Sequence, residues 1–485
     1  MDNTPFDPSP AFAAPEILPA HLASSPLPPY WSPLQRLGFR IALIYFFCFM
    51  FLYGNGSLLI VLNFIPVVGG KINFAIGWPM GRLAEIIGKH IFHLTGIAAT
   101  WHGTGSGDTV LHWILNGIFI FAALLGGLLW TGISALRGNR RTEYATLYAW
   151  LRFLLRLTVA MFMIRYGMAK VFPMQMPPIS IAVLNEPLGQ SSPMTMLWSL
   201  IALHPLYESI CGLAEVIGGM LILFRRTALL GSLISAFVVI NVLLYNIFFD
   251  VPVKLFALNL LLALLFLTLP DVPSLFRFFW KHQPSAPVGV WIPPVKRRGF
   301  RIATRTIEIF YTVLFIGFSL ILAPMGWHHY QKEANVPTPL LGAWHLDSSH
   351  PASGAFITNE GLPTTDFYVD AANRAFRRST DGVLWRTYMQ LDPKKNTLTI
   401  FAPAGPPSTY TWQMADSNHL SLATVVPPAP PVTKAKPGAK TAAPAAKPAT
   451  PFVAQVITFT RTPLPGHYPL LDRGFHWINP WGLER

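Results

Sequence analysis

Hydrophobic and polar positions divide the chain into two zones with different periods. Long apolar runs separated by short basic stretches fill the region up to about Trp327. Short alternating segments fill most of the rest. A run of about 20 apolar residues is long enough to cross a bilayer as a helix. Seven runs meet or approach that length: one starting near Leu37, then 110–133, 147–171, 206–224, 228–248, 254–269 and 307–323. A shorter run at 58–68 follows the interruption Gly54-Asn55-Gly56-Ser57 and cannot span alone. Residues 71–93 mix polar and apolar positions, with Arg82, Glu85 and Lys89 on one helix, and belong at the interface or in an outer loop. Asp108, in the turn Gly105-Ser106-Gly107-Asp108, is placed to cap the helix that follows it.

The second zone has period two. Residues 367–369, 385–391, 397–401, 409–414, 419–423 and 453–461 read as strands at the spacing of a small antiparallel barrel or sandwich. Gly342-Ala343-Trp344 could close a barrel end, as in lipocalin-like folds. The aromatic–basic cluster from Arg473 to Trp477 reads as sealing a barrel end, with contact to a partner as the alternative. A tract of Pro, Ala and Lys, 427–451, lacks the apolar residues needed to pack and reads as a disordered insertion. The expected fold is therefore an all-α polytopic membrane helix bundle of about seven spans, followed by a small antiparallel all-β barrel or sandwich. The expected divisions are a disordered tail at 1–34, a bundle at 35–327 and an extracytoplasmic β domain at 338–485.

Composition fixes the solvent. The chain is 52% hydrophobic and only 12% charged, where a soluble domain is usually near a quarter charged. Its net charge of +14 would suit nucleic acid in a soluble protein, but much of it lies in short loops between apolar runs. Nucleic acid is set aside on that ground, and the partner is the lipid bilayer. Seven spans put Arg36/Arg40, Arg137/Arg140/Arg141, Arg225/Arg226 and the basic stretch from Arg277 to Arg305 on one side. The positive-inside rule makes that side the cytoplasm. The expectation is a multi-pass protein of a bacterial plasma (inner) membrane, with the N-terminus cytoplasmic and the C-terminal domain periplasmic. The Pro- and Ala-rich start has no apolar core of a cleavable signal, so the first apolar run reads as an uncleaved anchor. Cys48 and Cys211 form no CxxC motif and read as small core residues.

Charges inside spans are costly unless paired or facing a wet interior, which makes them the candidate site. Arg165, Tyr166 and Lys170 on the third span, Glu208 and Glu215 on the fourth, Asn241 and Tyr245 on the fifth, Asn259 on the sixth and the Asp250/Lys254 pair at the rim fall in the outer half of the bundle. A rise of about 1.5 Å per residue places Arg165 and Glu215 at similar depths, which suggests an ion pair. The group reads either as a network that pins helices or as a pocket for an anionic or quinone-like ligand. Arg152 and Arg156 read as side chains snorkelling to the cytoplasmic surface. His90, His93, His102 and His112 read as interfacial, and no metal site is expected. No Walker loop, dinucleotide fingerprint, HExxH or GxSxG is present, so catalysis is left open.

Residues 151–271 carry, in order, Arg165-Tyr166-Gly167-Met168-Ala169-Lys170, Glu215-Val216-Ile217-Gly218-Gly219, Arg225-Arg226-Thr227, and Asn241 with Asp250-Val251-Pro252-Val253-Lys254. With these motifs the stretch resembles the DoxX family of four-helix bacterial membrane proteins. The wider arrangement, with Gly105 to Asp108 upstream and Gly474-Phe475-His476-Trp477 near the C-terminus, is similar to long DoxX-like proteins. The resemblance implies an accessory membrane subunit of a redox system, quinone-linked or oxidant-defence, with a redox partner protein and a quinone as candidate cofactor. A carrier or binding protein for a small amphiphile, and a scaffold presenting the β domain, remain open beside it.

Overall fold

The computed structural model describes residues 31–53, 68–101, 107–138, 143–286, 298–336, 338–347, 356–357, 362–401, 407–425 and 456–472. Residues 1–30 of the expected tail, the short run at 58–68 (apart from Val68), the insertion at 427–451 and the cluster at 473–477 lie outside them, whereas the end of the expected tail is ordered: Ser32 caps the first helix and Pro33 and Leu34 open it. Two compact units are present: residues 1–171 with 210–319, and residues 172–209 with 320–485.

The first unit is helical. It contains α1 (Pro33–Phe51), α2 (Val68–His90), α3 (Val110–Leu136), α4 (Ala145–Val171), the main part of α7 (Pro205–Leu223), α8 (Ala228–Phe248), α9 (Lys254–Thr268), α10 (Val272–Phe279) and α11 (Arg298–Gly317). Seven segments among the described residues are long and apolar enough to cross a membrane: α1, α3, α4, α7, α8, Lys254–Phe279 and Ile302–Ala334. Every expected span is present, and the chain is a multi-pass membrane protein. The most buried span is α4, whereas α3 presents Leu124, Leu125, Leu128 and Leu129 outward. Helices that are apolar all round suit a solvent of hydrocarbon.

Polar caps fix several helix ends. Ser32 and Gln35 form a reciprocal capping box at the start of α1. Asp108 does not cap its own helix: Thr109 is the N-cap residue of α3, and its side chain makes no cap bond. The Asp108 carboxylate instead accepts the backbone N–H groups of Lys254 at 2.6 Å and Leu255 at 2.9 Å. It thereby caps the sixth span from a distant loop, where an acid also meets the positive end of the helix dipole.

The second unit is a closed barrel in which each strand pairs antiparallel with the next and β8 returns to β1. Its strands are β1 (Gly342–Leu346), β2 (Thr364–Ala371), β3 (Arg374–Ser379), β4 (Leu384–Asp392), β5 (Thr397–Phe401), β6 (Ser408–Met414), β7 (His419–Thr424) and β8 (Val456–Thr462). Closure removes every sheet edge. Trp344, Phe367, Met389, Ile400, Tyr410 and Phe459 point inward and are buried. Phe356, from the connection between β1 and β2, packs edge-on against Phe367 and Tyr410. Trp344 donates its indole N–H to the Leu340 carbonyl at 2.8 Å, and the Arg461 guanidinium lies 4.6 Å from its ring centroid. Gly342 has φ +131°, a conformation L side chains rarely adopt, so the residue opening Gly342-Ala343-Trp344 is held to glycine by its backbone. The strand β3, too arginine-rich to read from pattern, completes the set.

The barrel unit also takes in residues 172–209, the connection between the third and fourth spans, with α5 (Ile181–Leu184) and α6 (Pro193–Ala202). Ile181 and Ala182 pack against the outward-facing Ala343, Tyr368 and Phe376. The Asp370 carboxylate accepts the Ile181 N–H at 2.9 Å, and Asn185 donates to the Tyr468 hydroxyl at 2.8 Å. Burial pushes the Asp370 carboxyl above its ordinary pKa, against the opposing pull of Ser180 and Arg374.

Candidate functional site

The buried charges of α4 are matched, though Glu215 does not take the expected partner. Glu215 pairs with Lys170 at 2.5 Å, and both side chains are buried. Arg165, the expected partner, is exposed, about 1.4 turns before Lys170 on α4. Gly167 and Gly212 make the contact possible. A Cβ on Gly167 would stand 2.7 Å from the Gly212 carbonyl, and one on Gly212 would stand 2.6 Å from Lys170 Cβ. These glycines, with Gly219 further along α7 against Met163 and Ile164, let α4 and α7 come this close, the usual device where lipid offers no hydrophobic drive between helices.

Arg152 and Arg156 do not snorkel. Arg156 is 2% exposed; it donates to the Leu223 carbonyl at 3.0 Å and pairs with Glu308 of α11 at 2.5 Å. Arg225 forms a second ion pair with the same Glu308 carboxylate. Arg152 donates to the Leu267 carbonyl at 3.0 Å and lies 3.9 Å from Asp271. Three helices and one turn are thus fastened by charges that fall on the first, buried face of α4, and neither Glu308 nor Asp271 stands out in the sequence.

The remaining candidates separate into distinct groups. Asn259 joins Tyr45 and Asn116: the single Tyr45 hydroxyl proton is shared between Asn259 Oδ1 and, at 3.0 Å, Asn116 Oδ1. Asp250 pairs with Lys254 at 2.7 Å on the surface. Glu208 belongs to the other unit, where it accepts the Met176 N–H at 3.1 Å. Asn241 is exposed, and Tyr245 is half-buried against Phe249. Asn246, five residues further along α8, is the buried amide of that helix and donates to the Val253 carbonyl. Tyr166 stacks between Phe162 and Phe256. Among the described residues they fall into separate groups: Lys170–Glu215 and Asn259–Tyr45–Asn116 join helices, whereas Arg165 and Asn241 are exposed.

The barrel interior differs. Alternation along β3 turns Ala375, Arg377 and Ser379 inward. Arg377 is 8% exposed. Its Nε donates to Thr387 Oγ1 at 2.9 Å, and its Nη1 has no hydrogen-bond partner among the described residues. Burial lowers its pKa, and the titratable group facing it is the Tyr410 phenol. Thr364 Oγ1 is likewise buried without a partner. Around them, Thr387 and Ser379 turn inward, and the Trp385 indole donates to Ser379 Oγ at 2.9 Å. A charged group within one strand of six residues offers almost no signal beyond its alternation, and the sequence did not mark Arg377 as a candidate.

No family model matches the chain, and no solved structure matches it. A 99-residue stretch is 30% identical to the uncharacterized protein YwoB of Bacillus subtilis (strain 168). That stretch is 20% of this chain, and it spans 62% of the relative's length.

Proposed function

We propose that this protein is a membrane-tethered binding protein for a small amphiphile, with the eight-stranded barrel as its binding domain. One observation carries the reading: the connection between the third and fourth spans is folded onto the barrel. The barrel is therefore bound to the membrane chain by more than its own N-terminal link. Residues 172–209 enter it between two spans, and Glu333, at the end of the last span, accepts from Asn373 at 3.2 Å. A barrel of this strand number is wide enough for a core of side chains or for one small ligand.

The same packing supports the proposed orientation. A loop and a domain that pack together share one side of a bilayer, and with seven spans the third connection and the C-terminal domain are on the same side. The basic loops make that side extracytoplasmic in a bacterial inner membrane. The redox role implied by the DoxX-like resemblance, with its quinone and partner protein, rests on the motif residues. Two of those motifs, Gly167 to Lys170 and Glu215 to Gly219, have a packing role, because they form the α4–α7 contact.

The test is saturable binding. The full chain, in nanodiscs, is titrated with single-chain amphiphiles of positive, zero and negative charge, with empty nanodiscs as the blank. Binding of at least one of them at a one-to-one limit is expected. Uptake that only tracks the lipid blank for all three would overturn the reading, and a quinone recovered by solvent extraction would move it toward the redox role.

A further inference from the structure

Five inward-facing side chains lie in one cross-strand row: Arg461, Trp344, Phe367, Arg377 and Trp385. Trp344 is registered with Arg461 on one side and Phe367 on the other, Phe367 with Arg377, and Arg377 with Trp385. Directly opposed residues on one face of a sheet have Cβ atoms about 5 Å apart. The row contains two guanidiniums in unlike settings. Arg461 is covered by the Trp344 ring, although its Nε too has no hydrogen-bond partner among the described residues. Arg377 has the Thr387 hydroxyl, and no described carboxylate forms an ion pair with it.

A guanidinium does not shed its proton in a protein. A buried charge without a partner is strongly unfavourable, and a buried polar group left unpaired calls for a reason. Arg377 Nη1 and Thr364 Oγ1 are two such groups on neighbouring strands. The register shift between Thr364 and Asp366 places Thr364 opposite Ser379, on the face that Arg377 shares.

We propose that Arg377 and Thr364 hold the carboxylate head of a singly charged amphiphile, whose apolar part lies against Phe367 and Trp385. This rests on the binding-protein reading above. Arg377 Nη1 donates to one carboxylate oxygen and the Thr364 hydroxyl to the other. One cation matches one negative charge, and two free donors match two oxygens. A phosphate, with close to two charges and three acceptor oxygens, would leave charge and acceptors unmatched. A cationic or neutral head would leave the guanidinium uncompensated.

The probes are decanoate, 1-decanol and decylamine, added below their micelle concentrations to the full chain in nanodiscs and followed by calorimetry. Hydrogen exchange over β3 and β4 reports that the barrel remains folded. Decanoate is expected to bind wild type at least tenfold more tightly than either of the other two. Arg377→Gln is expected to weaken decanoate at least tenfold, as loss of one charged hydrogen bond does, while 1-decanol stays within about twofold. Thr364→Val should fall between. If Arg377→Gln lacks barrel protection, Arg377→Lys, which keeps the charge but not the fork, serves in its place with the same direction and a smaller loss. Undiminished decanoate binding by the folded variant, or a wild type that prefers 1-decanol or decylamine, would overturn the carboxylate assignment while leaving the binding reading standing. Failure of all three probes to bind wild type would overturn both.

Discussion

Lys170 in the bundle and Arg377 in the barrel are equally buried, each 8% exposed, but they are bound differently. Lys170 has a carboxylate at 2.5 Å, and the helices that carry the pair are brought together by glycines. Arg377 has a hydroxyl at 2.9 Å and, among the described residues, neither an ion-paired carboxylate nor a partner for its Nη1. The first arrangement is what structure alone requires: a charge in hydrocarbon, neutralised by its neighbour. The second leaves the cost of burial uncompensated in a domain whose other inward positions are mostly aromatic or aliphatic. The lesson is that a buried charge identifies function by its lack of a partner, rather than by its burial.

The largest effect tests the matched side. Glu215→Leu strands Lys170 and should cost about 3–5 kcal/mol of bundle stability. Adding Lys170→Met should recover most of that loss, because the double variant leaves no lone charge. Thermal unfolding in bicelles reads both. Additive losses, with the double variant the worst of the three, would mean that the pair is not what holds α4 to α7.

A smaller effect tests the contact that creates the pair. Gly212→Leu forces atoms into the Gly167 carbonyl and Lys170 Cβ, and overpacking of this kind typically costs about 1–3 kcal/mol. Gly189→Ala, on a surface turn with open space around it, is the control and should be near neutral. Equal melting of the two variants would remove the close approach from the account.

Next comes the remote cap. Asp108→Ala removes the acceptor for Lys254 and Leu255 and should cost about 1 kcal/mol. The loss should appear as faster hydrogen exchange in the first turn of α9 and not in α3. Faster exchange in α3 instead would restore the cap to its own helix.

The smallest effect concerns the join between barrel and loop. The folded Asp370 carboxyl titrates above its ordinary value because it is buried. A group whose folded pKa is raised favours the folded form below its unfolded value, about 3.9, and that contribution is lost as pH rises through the higher folded value. Docking of residues 172–209 should therefore hold or tighten as pH falls from neutral into the acid range, as read by proteolytic protection of that segment. Loss of protection over that interval would show that the ionised carboxylate is what holds the loop.

Much of the fold was legible because its signals are long. Seven apolar runs gave seven spans, and period-two alternation gave six of the eight strands. The two it lacked are β1, noted only through Gly342-Ala343-Trp344, and β3, whose Arg374, Arg377 and Arg378 hide its pattern. The candidate site was less legible. Lys170, Glu215 and Asn259 are buried as their placement inside spans implies, but pairing depends on helix rotation. A rise of 1.5 Å per residue gives depth and says nothing about which of Arg165 and Lys170 faces α7. Distant partners such as Glu308, Asp271 and Tyr45, and the remote cap by Asp108, need the tertiary fold. So does Arg377, whose meaning comes from a barrel that closes around it.

The most direct measurement compares Arg377→Met with Lys170→Met in the full chain, each unit followed by hydrogen exchange during a denaturant series. If Arg377 is kept for a ligand, Arg377→Met leaves barrel protection equal to wild type or raises it, since an apolar side chain removes an uncompensated charge. Lys170→Met, which strands Glu215, lowers protection of α4 and α7. A barrel that loses protection on Arg377→Met to the same degree would show that the arginine serves the fold, and would contradict the account.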